Sequence, residues 1–184
     1  MAPSFSDEAI ELLTKKKKRI LLEIQSWAQP KKQFKSLLNG VIEQDMDLKQ
    51  HERANWKLAT SKAASDRELE DLMFANKVVK HLKSNTIVLV RDQQMIGMGC
   101  GQTSRVDALQ QAIHKARHFD FETEGAVMAS DAFFPFPDCV EIGHEAGIQS
   151  IVQPGGSIKD QDSIDYCDAH DQSMYMTGFR HFKH

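Results

Sequence analysis

Three short stretches carry residue types that could do chemistry at one place. In GMGCGQTSR, residues 97–105, three glycines let backbone approach a ligand closely, and the stretch leads into a helix whose free N–H groups suit an anion. It has neither the GxxxxGK[ST] nor the GxGxxG form, so a nucleotide loop is disfavoured and a tight strand-to-helix turn competes with the ligand reading. In SDAFFPFPD, residues 130–138, three Phe and two Pro lie between two aspartates. The ring faces could form a wall for a planar heterocycle, with Asp138 accepting hydrogen bonds from ring nitrogens; the competing reading is a rigid turn at the core edge. PGGS, residues 154–157, precedes a helix and is either a second backbone-close, anion-tolerant site or simply a turn.

Elements of alternating type must position these stretches. Ser6 and Glu8, followed by Ile10, Leu12 and Leu13, predict a capped helix ending in the run Lys15 to Lys18. Four lysines at a helix C-terminus complement its dipole, which is a sufficient account of them without nucleic acid. RILLEI, residues 19–24, suits a buried strand, residues 25–35 a loop, and residues 45–65 an extended surface connection. An N-cap at Asp66 and an apolar face from Leu69 to Leu82 predict a helix. TIVLVRDQQMIGMGCG predicts a hairpin turning at Asp92 to Gln94. Then come a helix at Ser104 to Phe119, the FETEG turn, a helix through His144, the strand SIVQP, a Gly-Gly turn, a helix at Asp160 to His170 and a strand near Met174. Such alternation argues an α/β layered domain.

The whole chain bounds the function. At 184 residues, with 41% hydrophobic and 27% charged residues, it has the composition of a globular protein with a core of its own. A net charge of -3 gives no general case for nucleic acid or an anionic membrane, so an anionic ligand must be held locally. Cys100, Cys139 and Cys167 form neither a disulfide framework nor a CxxC zinc pair, which suits a reducing cytoplasm. Nothing at the N-terminus has the form of an export signal, and no apolar run approaches the ~20 residues of a membrane span. His51, His114, His118 and His170 show no ligand spacing and read as solvated or structural.

KSN at 83–85, GMGCGQTSR, SDAFFPFPD, IVQPGGS and the terminal FRHFKH occur in a particular order and spacing. In these the chain resembles the C-terminal half of the AICAR (5-aminoimidazole-4-carboxamide ribonucleotide) transformylase domain of the bifunctional purine-synthesis enzymes. The resemblance runs from about Ser6 to His184, with LLTKKKKRILLEI and FKSLLNGVIEQDMDL resembling that domain's linking segment. It implies a linking segment over 1–65 and, over 66–184, a layered cytidine-deaminase-like α/β subdomain with a mixed sheet and flanking helices. It implies formyl transfer from 10-formyltetrahydrofolate to AICAR, with AICAR against Asn85, Phe133 and Arg180 and the folate against Arg105, Asp138, Ser157 and Ile158.

The resemblance implies no metal: the zinc deaminases' HxE and PCxxC ligands are absent, and His144-Glu145 reads as a surface pair. It also implies a homodimer, or a partner chain supplying the family's first subdomain, whose Lys-His pair provides the catalytic proton transfer. Lys80-His81 matches that pair by letters only, lying in a predicted helix without the following Pro-Gly turn. The alternative to an enzyme is a catalytically incomplete module that binds folate or a purine nucleotide. The chain departs from the family at Pro137, commonly Arg and thus a lost cation beside the folate site, at Cys100, commonly a small residue, and at Asp171, usually Gly. His181 and His184 flank the Arg180 motif and could order the terminus.

Overall fold

The computed structural model describes residues 1–26, 28, 30–49 and 52–182; His51 and His184 lie outside the described residues. The chain divides into two compact units, Met1–Leu48 and Lys49–His184.

In the first unit, α1 (Asp7–Thr14) is capped as expected, with the Ser6 hydroxyl accepting from Ala9 N at 3.2 Å, and it ends where the lysine run begins. RILLEI is not a buried strand. It contributes one bridge residue, Glu23 opposite Ala2, and Ile20 and Leu22 are exposed; among the described residues its pairing goes no further than that bridge. The expected loop at 25–35 gives way to an antiparallel hairpin, β1 (Lys32–Leu37) and β2 (Gly40–Asp45). Its turn is Leu38-Asn39, with Leu38 at φ +48°. The Asn-Gly at 39–40 between apolar residues was the available signal for it.

The second unit is built on a six-stranded sheet in the order β3-β8-β7-β6-β4-β5. The strands are β3 (Lys57–Leu58), β4 (Ile87–Arg91), β5 (Gln94–Gly99), β6 (Val127–Ser130), β7 (Ser150–Gln153) and β8 (Ser173–Met176). β6, β7 and β8 run parallel, joined through α4 (Asp138–Glu145) and α5 (Asp160–Ala169); β4 is antiparallel to both β5 and β6, and β3 to β8. The fold is therefore α/β with a mixed sheet and flanking helices.

Alternation along the strands feeds two cores. Ile87, Leu89, Met128, Ile151 and Met174 pack with residues of α3 (Arg105–His118), α4 and α5, while Val88, Val90, Val127, Ala129, Val152 and Tyr175 pack under α2 (Asp66–Val79). Both faces are covered, which explains the consecutive apolar residues IVLV of β4 and VMA of β6.

Residues 49–65 belong to this unit and are not a free connection. β3 pairs with β8, the Thr60 hydroxyl accepts from Met174 N (2.9 Å), and Ser61 N donates to the Asp168 carboxylate (2.7 Å). The compact unit begins at Lys49. The N-cap of α2 is Ser65, not Asp66: its side chain and that of Glu68 form a reciprocal capping box. The helix ends at Val79, and residues 80–82 continue as a turn.

The β4–β5 turn is Asp92-Gln93, both at positive φ (+52° and +56°) without a glycine. That conformation is held from α2. The fully buried Asp71 carboxylate accepts from Asp92 N (2.9 Å) and Gln93 N (2.6 Å), using one oxygen for each. Removing these acceptors leaves two turn amides without partners, so Asp71→Ala is expected to cost about 1–3 kcal/mol in urea denaturation. An unchanged midpoint would show that solvent replaces the carboxylate.

Candidate functional site

Parallel β6, β7 and β8 place their carboxyl ends together, and β5 runs the same way, with Ile87 of β4 opposite both Gly99 and Ser130. Open α/β sheets bind ligands outside the carboxyl ends of their strands. All seven side chains singled out in the sequence follow such an end or precede β4: Asn85 before β4, Arg105 after β5, Phe133 and Asp138 after β6, Ser157 and Ile158 after β7, and Arg180 after β8.

Asp131, one residue past β6, bonds Arg105 and the neighbours of Asn85 and Arg180. It is fully buried, and its Oδ1 accepts from Thr86 N (3.2 Å) and lies 3.4 Å from Arg105 Nη2. Its backbone N donates to Thr86 O (3.3 Å), and its carbonyl accepts from His181 N (2.9 Å). Arg105 Nε also donates to Ala132 O at 3.4 Å. Arg105 is mostly buried; burial pushes its guanidinium below the ordinary value and the Arg180 cation adds to this, while Asp131 and the Cys139 thiol oppose it.

The three phenylalanines of SDAFFPFPD part ways. Phe134 is fully buried in the core, Phe136 is exposed, and Phe133, half-buried, has the Arg180 guanidinium stacked over its ring at 4.4 Å. Asn85 donates its side-chain N–H groups to Gln102 O (2.9 Å) and Thr103 O (3.3 Å), which leaves its amide oxygen as the group to offer. Asp138, half-buried, opens α4 behind Pro137, and its Oδ1 accepts from Cys139 N (2.8 Å). Burial, then the Asp138 charge, pushes the Cys139 thiol up to about 12, so it is an inert core thiol.

Two expectations about anion sites are corrected. Gly97 and Gly99 do not open backbone to a ligand: a Cβ at Gly97 would stand 2.2 Å from Ala112 O, and one at Gly99 1.9 Å from Ala108 O. They let α3, through its stripe Ala108, Ala112 and Ala116, lie directly on β5. Gly101, at φ +67°, makes the turn, and its N–H donates to Lys83 O (2.7 Å). In PGGS the amides of Gly156 and Ser157 already point at the Asp160 carboxylate, at 2.6 and 3.1 Å. An anion there would compete with the protein's own. Ser157's hydrogen bonds stay within this loop, and the Ile158 side chain is fully exposed.

Lys80 and His81 lie just past the end of α2, with Lys80 Nζ donating to Lys49 O at 2.7 Å. His144 of α4 packs against Tyr166 of α5 edge-on and against His170 at a tilt, ring centroids 6.2 and 4.7 Å away, so α4 and α5 meet through aromatic rings. Among the described residues no three His, Cys, Asp or Glu side chains are grouped to hold a metal ion, and no helix is long and apolar enough to cross a membrane. Asp171 adopts φ +56°, the conformation a glycine would favour, and Lys62 Nζ bonds both its carbonyl and its carboxylate (2.5 and 2.9 Å). A recess of about 390 Å³ lies at the opposite, amino end of β6, lined by Arg117, Asp120, Glu122, Glu124 and Glu145 among others, and contains none of the seven residues. Sequence reading missed Asp131 and Thr86 as members of the cluster. An aspartate just past the apolar run AVMA, residues 126–129, with only Ser130 between, was the signal for the first.

The fold and this cluster define an α/β domain with an amide, an aromatic ring and two guanidinium groups converging beyond the carboxyl edge of its sheet. The AICARFT/IMPCHase bienzyme model matches residues 1–115, and the chain belongs to that family. It is 54% identical over its full length to the bifunctional purine biosynthesis protein PurH of Bacteroides thetaiotaomicron, 47% to that of Acetivibrio thermocellus and 43% to that of Persephonella marina. It spans 36% of the length of each of these relatives. Among solved structures it is similar to a diaminohydroxyphosphoribosylaminopyrimidine deaminase/5-amino-6-(5-phosphoribosylamino)uracil reductase of Thermotoga maritima, at 20% identity and TM-score 0.40, covering 59% of this chain and 34% of that one. It is similar also to Acinetobacter baumannii RibD, at 16% identity and TM-score 0.39, covering 60% and 34%.

Proposed function

We propose that this chain forms part of an AICAR transformylase, which passes the formyl group of 10-formyltetrahydrofolate to the AICAR amine, giving FAICAR in purine synthesis. The observation that carries the reading is that the Arg105 guanidinium meets the buried Asp131, which hydrogen bonds with Thr86 and His181 also tie to the segments carrying Asn85 and Arg180, while the Arg180 guanidinium lies over the Phe133 ring. Their chemistry complements the substrate. The free Asn85 oxygen can accept from an N–H of the amino-carboxamide pair, Phe133 offers a flat face to imidazole, and Arg180 a bidentate donor to the phosphate. Arg105 and Asp138, with Ser157 and Ile158, are the proposed folate contacts: Arg105 for a carbonyl or carboxylate, Asp138 for pterin N–H groups.

Formyl transfer needs the amine nitrogen to attack the formyl carbon, an oxyanion to be stabilised and the amine proton to leave, before the folate nitrogen departs. Cations and orientation are supplied by the residues above. A positioned base is the proposed contribution of the family's first subdomain, in a homodimer or from another chain, in the cytoplasm. The second reading, a binding module without turnover, is favoured by the placement of Lys80 and His81, since Lys80 is engaged with Lys49.

Calorimetry with AICAR tests the ligand. Binding is expected, weakened by about 1.5–3 kcal/mol in Arg180→Ala if Arg180 makes a charge-assisted phosphate contact. Absence of AICAR binding by both proteins would remove AICAR as this chain's ligand, and equal affinities would remove Arg180 from the site.

A further inference from the structure

Asp131 bonds Arg105 directly and reaches the other members of the cluster through the residues beside them. Asn85 precedes Thr86, whose backbone N–H and C=O both bond Asp131, through its Oδ1 and its N–H. Arg105, the first residue of α3, meets the same Oδ1. Phe133 lies two residues on, with the Arg105 Nε bond to Ala132 O between them. Arg180 precedes His181, whose N–H donates to the Asp131 carbonyl. Four segments distant in sequence, those ahead of β4 and after β5, β6 and β8, are therefore registered on one residue. A carboxylate with no solvent exposure is costly unless compensated, and the partners here are one amide and one guanidinium. Its second oxygen, Oδ2, is buried without a hydrogen-bond partner among the described residues.

We propose that Asp131 is the positioning residue of the site: its carboxylate fixes the Arg105 guanidinium, and its main chain ties the Asn85 and Arg180 segments to the same point. This deepens the ligand reading above and rests on it for the identity of the ligand, though not for the placement of Arg105. The main-chain bonds survive any substitution at 131, so the side chain's own contribution is the aim of Arg105 and the hold on Thr86 N. Asn at 131 keeps an oxygen for Thr86 N and nearly the same shape but loses the charge. Ala loses both.

The test compares the full chain with Asp131→Asn and Asp131→Ala. Arginine Nε–H resonances report a held guanidinium by slow solvent exchange, and the Arg105 signal is identified by its loss in Arg105→Lys. In Asp131→Asn the protein is expected to remain folded by circular dichroism. The Arg105 Nε–H should exchange at least tenfold faster, and affinity for 10-formyltetrahydrofolate, the ligand proposed for Arg105, should fall about tenfold or more by calorimetry. An Arg105 signal unmoved in Asp131→Asn overturns the proposal, whatever the ligand does. If the signal moves but 10-formyltetrahydrofolate binds none of the proteins, the positioning of Arg105 stands and the folate reading falls. Should Asp131→Ala fail to fold, Asp131→Asn alone decides.

Discussion

Gly99→Ala is expected to cost about 3 kcal/mol or more, a large share of the ~5–15 kcal/mol by which a domain is stable. An added Cβ would sit 1.9 Å from Ala108 O, 2.6 Å from its carbonyl carbon and 2.7 Å from its Cα. All three are backbone atoms of α3, so no rotamer change relieves the clash. The helix must lift off β5, and Ala108, Leu109 and Ala112, all without solvent exposure, must lose packing with it. Because Arg105 is the first turn of the same helix, the displacement reaches the ligand cluster as well. Gly143→Ala is the control: it lies inside α4 with its nearest neighbour, the flexible tip of Met128, at 3.5 Å, so alanine should be neutral or stabilise by up to ~1 kcal/mol. Urea denaturation followed by circular dichroism separates the two, and equal midpoints for Gly99→Ala and wild type would refute the close contact of α3 with β5.

The glycines also show where sequence reading stopped. That GMGCG is chemically odd was legible; that Gly97 and Gly99 face a helix and not a ligand was not, because the partner is an alanine stripe encoded later in the chain. Elements whose signals are local came through: the α1 cap, the α3 bounds, the β4–β5 hairpin, and the helices and strands from α4 to β8, whereas β6 was not read from the sequence. The α2 cap was misplaced by one residue because Ser65 and Asp66 are both good caps, and only the reciprocal bonds with Glu68 choose between them. RILLEI has the apolar run of a buried strand, yet a strand exists only where another pairs with it. The seven candidate residues were named through motif order, and strand direction puts them beyond one edge of the sheet. Asp131 was not legible because its importance lies in what it touches: Thr86, Arg105 and His181, spread over 95 residues of chain (86 to 181).

Under the formyl-transfer reading, a mixture of this chain with AICAR and 10-formyltetrahydrofolate is expected to release tetrahydrofolate ~10²–10⁴-fold more slowly than the same mixture supplemented with the family's first subdomain. Binding orients the two substrates, and Arg105 and Arg180 can stabilise negative charge, so some acceleration over solution remains. What the described residues do not place at the cluster is a base. Lys80 gives its amine to Lys49 O, and His81 is exposed in the turn after α2, outside the bonds that register Asn85, Arg105 and Arg180 on Asp131. A general base must come within hydrogen-bond reach of the proton it takes, which makes geometry the first criterion and the presence of an imidazole the second. Tetrahydrofolate formation followed by absorbance measures the rate, and Phe133→Ala in the supplemented mixture reports whether the ring wall is part of the working site. Full turnover by the chain alone would sink the prediction. His81→Ala would then show whether that imidazole reaches the amine after all, since its loss should return the rate to the orientation-only level, whereas an unaffected rate would send the search to the remaining histidines.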